Sequence, residues 1–178
     1  MQAIQNRLIE NVAIAPQFPG TRFQGSKAKL VDWIWENIKD LAFDTALDAF
    51  GGTGAVAHML KRHGKQVTYN DSLRFNHLIG KALIENSTTT LSEEDVVSIL
   101  RRHTGVQYPS FIQDTFKDIY YTDEENAWLD HVVTNILAIS NPFKKDMAFF
   151  ALFQACIIKR PFNLFHRRNL YIRLKDVQ

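Results

Sequence analysis

The chain has 178 residues, 46% of them apolar and 22% charged, a globular balance that excludes disordered and fibrous classes. No run without charge or histidine is longer than residues 147–158, which are too few for a spanning helix, and no secretory leader is expected at the N-terminus. One cysteine, Cys156, excludes an internal disulfide framework and a multi-thiolate zinc site, so a cytoplasmic protein without a membrane partner is expected.

The net charge of +2 is unevenly spread. Residues 92–130 hold three Lys/Arg against nine Asp/Glu, and residues 131–178 hold eight against two. The basic tail gathers Lys159, Arg160, Arg167, Arg168, Arg173 and Lys175, interleaved with Phe162, Phe165, His166 and Tyr171. Such a block fits a polyanion through phosphate contacts, and it fits a solvated basic loop equally well. The acidic middle reads as exposed helix faces and Cys156 as a core thiol.

In chain order, Pro16, Pro19 and Gly20 make the first stretch a loop. Residues 29–40 carry apolar Leu30, Ile34 and Ile38 at helical spacing. A short buried strand is predicted at 45–50, running into Gly51-Gly52-Thr53-Gly54. A helix at 55–63 follows, with Gly64 in the terminating position. A second strand at 66–69 leads through Asn70-Asp71 into a helix at 73–85. This order belongs to a parallel sheet with crossover helices. Beyond Leu91 only helices are predicted, at 93–103, 111–119, 123–139 and 144–158, with start boxes at Ser92/Asp95 and Thr122/Glu125. Two parallel strands cannot bury a doubly wound sheet, so further strands from another polypeptide or a C-terminal half are expected.

Gly52, Gly54 and Ala57 satisfy G-x-G-x-x-A between a strand and a helix, a pattern that also fits a nicotinamide or flavin site and an ordinary turn. Asp48 bears on the ligand. A carboxylate entering that loop repels a pyrophosphate and attracts a cation, such as the ammonium and sulfonium of S-adenosylmethionine. Asp71, at the end of the adjacent strand, can accept both hydroxyls of a ribose. Either Asp can instead cap the helix that follows it. Gly25 and Ser26 precede a helix, where free N–H groups and Lys27 can hold a carboxylate, or serve as a cap alone.

Taken together, residues 22–34, 45–61 and 67–86 resemble the amino-terminal half of Dam-like adenine-specific DNA methyltransferases. Phe23, Gly25, Ser26 and Lys27 match the family's aromatic-x-Gly-(Gly/Ser)-Lys cofactor motif. Asp48, Phe50, Gly52 and Gly54 match its acidic-x-Phe-x-Gly-x-Gly loop, and Asp71 its ribose-binding acid. Residues 148–173 are similar to the stretch entering the family's DNA-recognition part.

The resemblance implies an α/β fold: a partial Rossmann-like sheet in 1–91 that binds S-adenosylmethionine, then a helical segment with a recognition-like tail in 92–178. It implies N6 methylation of adenine in double-stranded DNA within a restriction–modification system. Arg160, Arg167 and Arg168 would hold phosphates, and Asn163, His166 and Asn169 would be candidate base readers.

The family's catalytic (Asp/Asn/Ser)-Pro-Pro-(Tyr/Phe) motif has no match, because the sequence contains no Pro-Pro. Asn141-Pro142-Phe143 lacks the second proline and runs into a helical pattern. No catalytic residue is therefore assigned. A truncated or split enzyme completed by a second polypeptide is expected. The alternative is a DNA-binding pseudo-methyltransferase or partner subunit without chemistry.

Overall fold

The computed structural model describes residues 25–159. Helix α1 (Val31–Ile38) comes first, then strand β1 (Thr45–Asp48), helix α2 (Ala55–Arg62) and strand β2 (Gln66–Tyr69). The strands pair in parallel, with Thr45 opposite Gln66 and Asp48 opposite Tyr69. α2 is the crossover a parallel pair requires, and it buries Ala55, Ala57, Met59 and Leu60.

Its end was legible in the residues. Gly64 sits at φ +75° and donates to Lys61 O at 3.0 Å, while Lys65 N donates to Leu60 O at 3.1 Å. This is the Schellman pairing that a left-handed glycine permits. α1 packs on α2 through Trp35 stacked on His63, with ring centroids 3.7 Å apart.

The helix expected at 73–85 is present in two parts. α3 (Arg74–Gly80) is regular, and residues Lys81–Glu85 widen into a π turn closed by Asn86 N to Lys81 O at 3.0 Å. Lys61 Nζ donates to Leu83 O and Asn86 O at 3.1 and 2.5 Å, satisfying carbonyls at the turn's end.

The second half is helical: α4 (Glu93–Leu100), α5 (Phe111–Thr115), α6 (Asp123–Leu137) and α7 (Pro142–Lys159). Both start boxes form, with Ser92 and Thr122 each exchanging hydrogen bonds with the residue three positions on. Ile99, Leu129, Val132, Ile136, Ala148 and Leu152 make the core. α5 is shorter than expected, ending before Asp118 at φ 56°. α7 begins at Pro142 rather than 144. Asn141 Oδ1 accepts from Lys144 N at 3.1 Å, and a proline in the first helical position loses no bond.

Of the acidic middle, Glu93, Glu94, Asp114, Asp118, Asp123 and Glu124 are exposed as expected, and Asp130 is the exception. Asp130 is 3% exposed, and its carboxylate accepts Ile112 N and Gln113 N at 2.8 and 2.9 Å, capping α5 from α6. Asn135, also on α6, donates to Ile99 O and Arg101 O at 2.8 Å each. Buried polar groups here satisfy loop backbone that would otherwise be unpaired. Cys156 is half-buried, and burial pushes its thiol up.

The molecule is thus mixed α/β: a two-stranded parallel sheet and seven α-helices among the described residues. No helix of the described residues is long and apolar enough to cross a membrane.

Candidate cofactor site

β1 delivers Asp48 to the base of the glycine loop. Its Oδ2 accepts Ala57 N at 3.2 Å, in the first turn of α2, so the helix-capping alternative is realised. Burial pushes the Asp48 carboxyl above its usual range. The Ala57 N–H opposes this, the Asp71 charge adds to it, and Lys27 draws it back. The loop beyond turns through Gly52 at φ +53° and Gly54 at φ +79°, values that L side chains rarely adopt. Phe50, inside the turn, is 90% exposed.

The second carboxylate closes on the same loop. Asp71 Oδ2 accepts Gly52 N at 2.8 Å and its Oδ1 accepts Leu73 N at 2.9 Å. The Leu73 bond, with further help from Asn76, Gly52 and Ser72, holds its carboxyl below the usual range. Asp48 and Asp71 therefore share one site with opposite shifts: burial disfavours the charge on Asp48, and N–H groups favour it on Asp71.

Gly25-Ser26-Lys27 reaches the loop from the other side: Ser26 Oγ lies 3.2 Å from Thr53 Oγ1. These residues do not start a helix directly. Lys27 to Leu30 make a separate turn, closed by Leu30 N to Lys27 O at 2.7 Å, and Leu30 is the N-cap of α1. Gly25 takes φ +83°, Ser26 Oγ accepts Ala28 N at 3.3 Å, and Lys27 Nζ donates to Gly25 O at 3.2 Å.

Six positions singled out in the sequence thus converge: Ser26, Lys27, Asp48, Gly52, Gly54 and Asp71. Gly25 adjoins Ser26, and Phe50 belongs to the loop without being covered. Phe23, Arg160, Asn163, His166, Arg167, Arg168 and Asn169 lie outside the described residues.

Sequence reading missed Tyr69 and Asn70. Asn70 N donates to Asp48 O, its carbonyl accepts Gly51 N, and its Nδ2 donates to Ala49 O, each at 2.9 Å. Tyr69 Oη donates to Gly52 O at 2.6 Å. The only sequence signal for these contacts was their place at a strand end next to Asp71.

The site holds two carboxylates against one ammonium, so it favours a cation. Asp71 adds carboxylate acceptors at the loop, which Gly52 N and Leu73 N already engage. Among the described residues no cluster of three or more His, Cys, Asp or Glu is placed to hold a metal ion.

A family model described as D12 class N6 adenine-specific DNA methyltransferase matches residues 23–150. The chain is 31% identical over 150 residues to the Type II methyltransferase M2.HphI of Haemophilus parahaemolyticus, covering 84% of this chain and 44% of that protein. Identity to the Type II methyltransferase M.FokI of Planomicrobium okeanokoites is 44% over 70 residues, 38% of this chain and 11% of that one. With the Type II methyltransferase M.NlaIII of Neisseria lactamica it is 26% over 111 residues, 58% and 33% of the two chains. The chain thus spans less than half the length of each relative. No solved structure matches it.

Proposed function

The chain belongs to the D12 class N6 adenine-specific DNA methyltransferases, and on that premise we propose that its glycine loop seats S-adenosylmethionine for methylation of adenine N6 in double-stranded DNA. The setting that the relatives' names support is a Type II restriction–modification system. The observation that carries this reading is the convergence of the Ser26 turn, Asp48 and Asp71 on one glycine loop.

The residues fit the cofactor. Burial disfavours the charge on the Asp48 carboxylate, a cost that a positively charged ligand offsets. S-adenosylmethionine supplies an activated methyl group on a sulfonium. Asp48 would hold the cationic end, and Asp71 would accept the ribose hydroxyls. Gly52 and Gly54 let the cofactor approach the backbone, and Phe50 offers an uncovered aromatic face beside it. Gly25, Ser26 and Lys27 receive the carboxylate end, together with Phe23. The sheet is read as part of a Rossmann-like sheet, with the cofactor at the strand ends.

For the DNA, the basic run of Arg160, Arg167 and Arg168 supplies phosphate contacts, and Asn163, His166 and Asn169 supply base-edge donors and acceptors. A role on DNA agrees with the cytoplasmic setting expected from the sequence.

Calorimetric titration of the chain tests the reading. S-adenosylmethionine is expected to bind and NADH is not, and duplex affinity is expected to fall steeply with salt. Binding of NADH in preference, or no binding of S-adenosylmethionine, overturns the cofactor assignment.

A further inference from the structure

The end of β2 holds the glycine loop with three consecutive residues. Asn70 takes Ala49 O and Gly51 N. Tyr69 and Asp71 take the two polar groups of a single residue: Tyr69 Oη donates to Gly52 O at 2.6 Å, and Asp71 Oδ2 accepts Gly52 N at 2.8 Å. Gly52 stands at φ +53°, a region with little to select one conformation for a residue without a side chain.

The Tyr69 ring has a slot of its own. A Cβ on Gly51 would overlap one edge of the ring, and a Cβ on Gly80, at the end of α3, would overlap the other. Two glycines from separate elements leave room for the ring, and from that position its hydroxyl reaches the loop.

We propose that Tyr69 is the positioning residue of the cofactor seat: slotted between Gly51 and Gly80, it fixes the backbone of residues 50–54 through the Gly52 carbonyl before S-adenosylmethionine arrives. This rests on the reading of the loop as that seat. A glycine loop loses more conformational freedom on ordering than any other segment. A loop already held in its bound shape spares the ligand that loss, so the hydroxyl acts on affinity without touching the cofactor.

The test is Tyr69→Phe, which keeps the ring in its slot and removes the donor. Well below the thermal midpoint, S-adenosylmethionine affinity is expected to fall about 3- to 10-fold, the worth of one hydrogen bond. Exchange of the Gly52 amide in the free protein is expected to be slow in the wild type and faster in the variant. Equal affinity in the two proteins, or rapid Gly52 exchange in the free wild type, overturns the role of Tyr69 and leaves the seat standing. A wild-type chain that binds no S-adenosylmethionine overturns the seat, and this inference with it.

Discussion

Asp48 sits where its charge is costly to the fold and, in the proposed cofactor seat, useful to a cationic ligand. Its folded pKa lies above the ordinary 3.8, so the folded state binds this proton more tightly than the unfolded chain. The charge therefore subtracts stability at neutral pH, and the loss is relieved as pH falls through the folded value. Asp71 has the opposite sign: its contribution is present above 3.8 and is lost only as pH falls through its lowered folded value. As pH falls, Asp48 thus neutralises before Asp71 does. Asp48→Asn keeps an acceptor for Ala57 N and removes the charge. The variant is expected to lose about 10-fold or more in S-adenosylmethionine affinity, the scale of a charged partner, with a thermal midpoint equal to or above wild type. Acidifying the wild type is expected to move its affinity toward that of the variant; calorimetry at several pH values with parallel thermal melts checks both. The carboxylates were legible because residue type and strand-end position alone point to them. The difference between their two environments was not, because it arises from burial and from N–H groups of other segments.

Element by element, what was legible follows from how local the cause is. The capping boxes at Ser92 and Thr122, the Schellman stop at Gly64 and the strand–loop–helix order depend on neighbours within a few residues, and all form. The π turn at Lys81–Glu85 ends under Lys61, some 20 residues away in sequence, and α5 is capped by Asp130 from another helix. No local pattern carries those. Gly80 shows the same divide. Helix propensity favours alanine over glycine by about 1 kcal/mol, yet the Tyr69 ring occupies the space a Cβ needs, and Gly51 bars it from moving the other way. Gly80→Ala is therefore expected to destabilise by about 1–3 kcal/mol, as overpacking does. In the double variant with Tyr69→Val that loss is expected to shrink or reverse. Urea unfolding of the four proteins measures the coupling, and additive effects would show that the ring does not set the glycine.

At the scale of the molecule, α7 joins the two halves that the sequence divided near residue 91. It packs against α6 in the helical core, and against α3 and the π turn beside the candidate site. Phe75 of α3 meets Phe153 of α7 edge-on at 6.5 Å, and Lys81 Nζ pairs with Asp146 Oδ2 at 3.6 Å. Asp146 retains 7% of its side-chain exposure, and that oxygen has no hydrogen bond. Lys81 is thus the countercharge of a buried carboxylate, and removing it leaves that charge unpaired. The usual cost of such a break is about 3–5 kcal/mol. Lys81 keeps 31% of its side chain in solvent, so a smaller loss, about 2 kcal/mol, is expected for Lys81→Met. The pair also lies on the joint between the halves, which predicts where the loss appears. Trp33 and Trp35 on α1 report the sheet half and Trp128 on α6 the helical half. In the wild type, single-tryptophan variants are expected to share one urea midpoint, because α7 belongs to both packings. In Lys81→Met the two midpoints are expected to separate, with the sheet half unfolding first: its described residues hold two strands and leave Leu47 65% exposed, whereas the helical half keeps its own core. Midpoints that fall together by the same amount would mean that the joint is held by the apolar contacts of α7 and not by this ion pair.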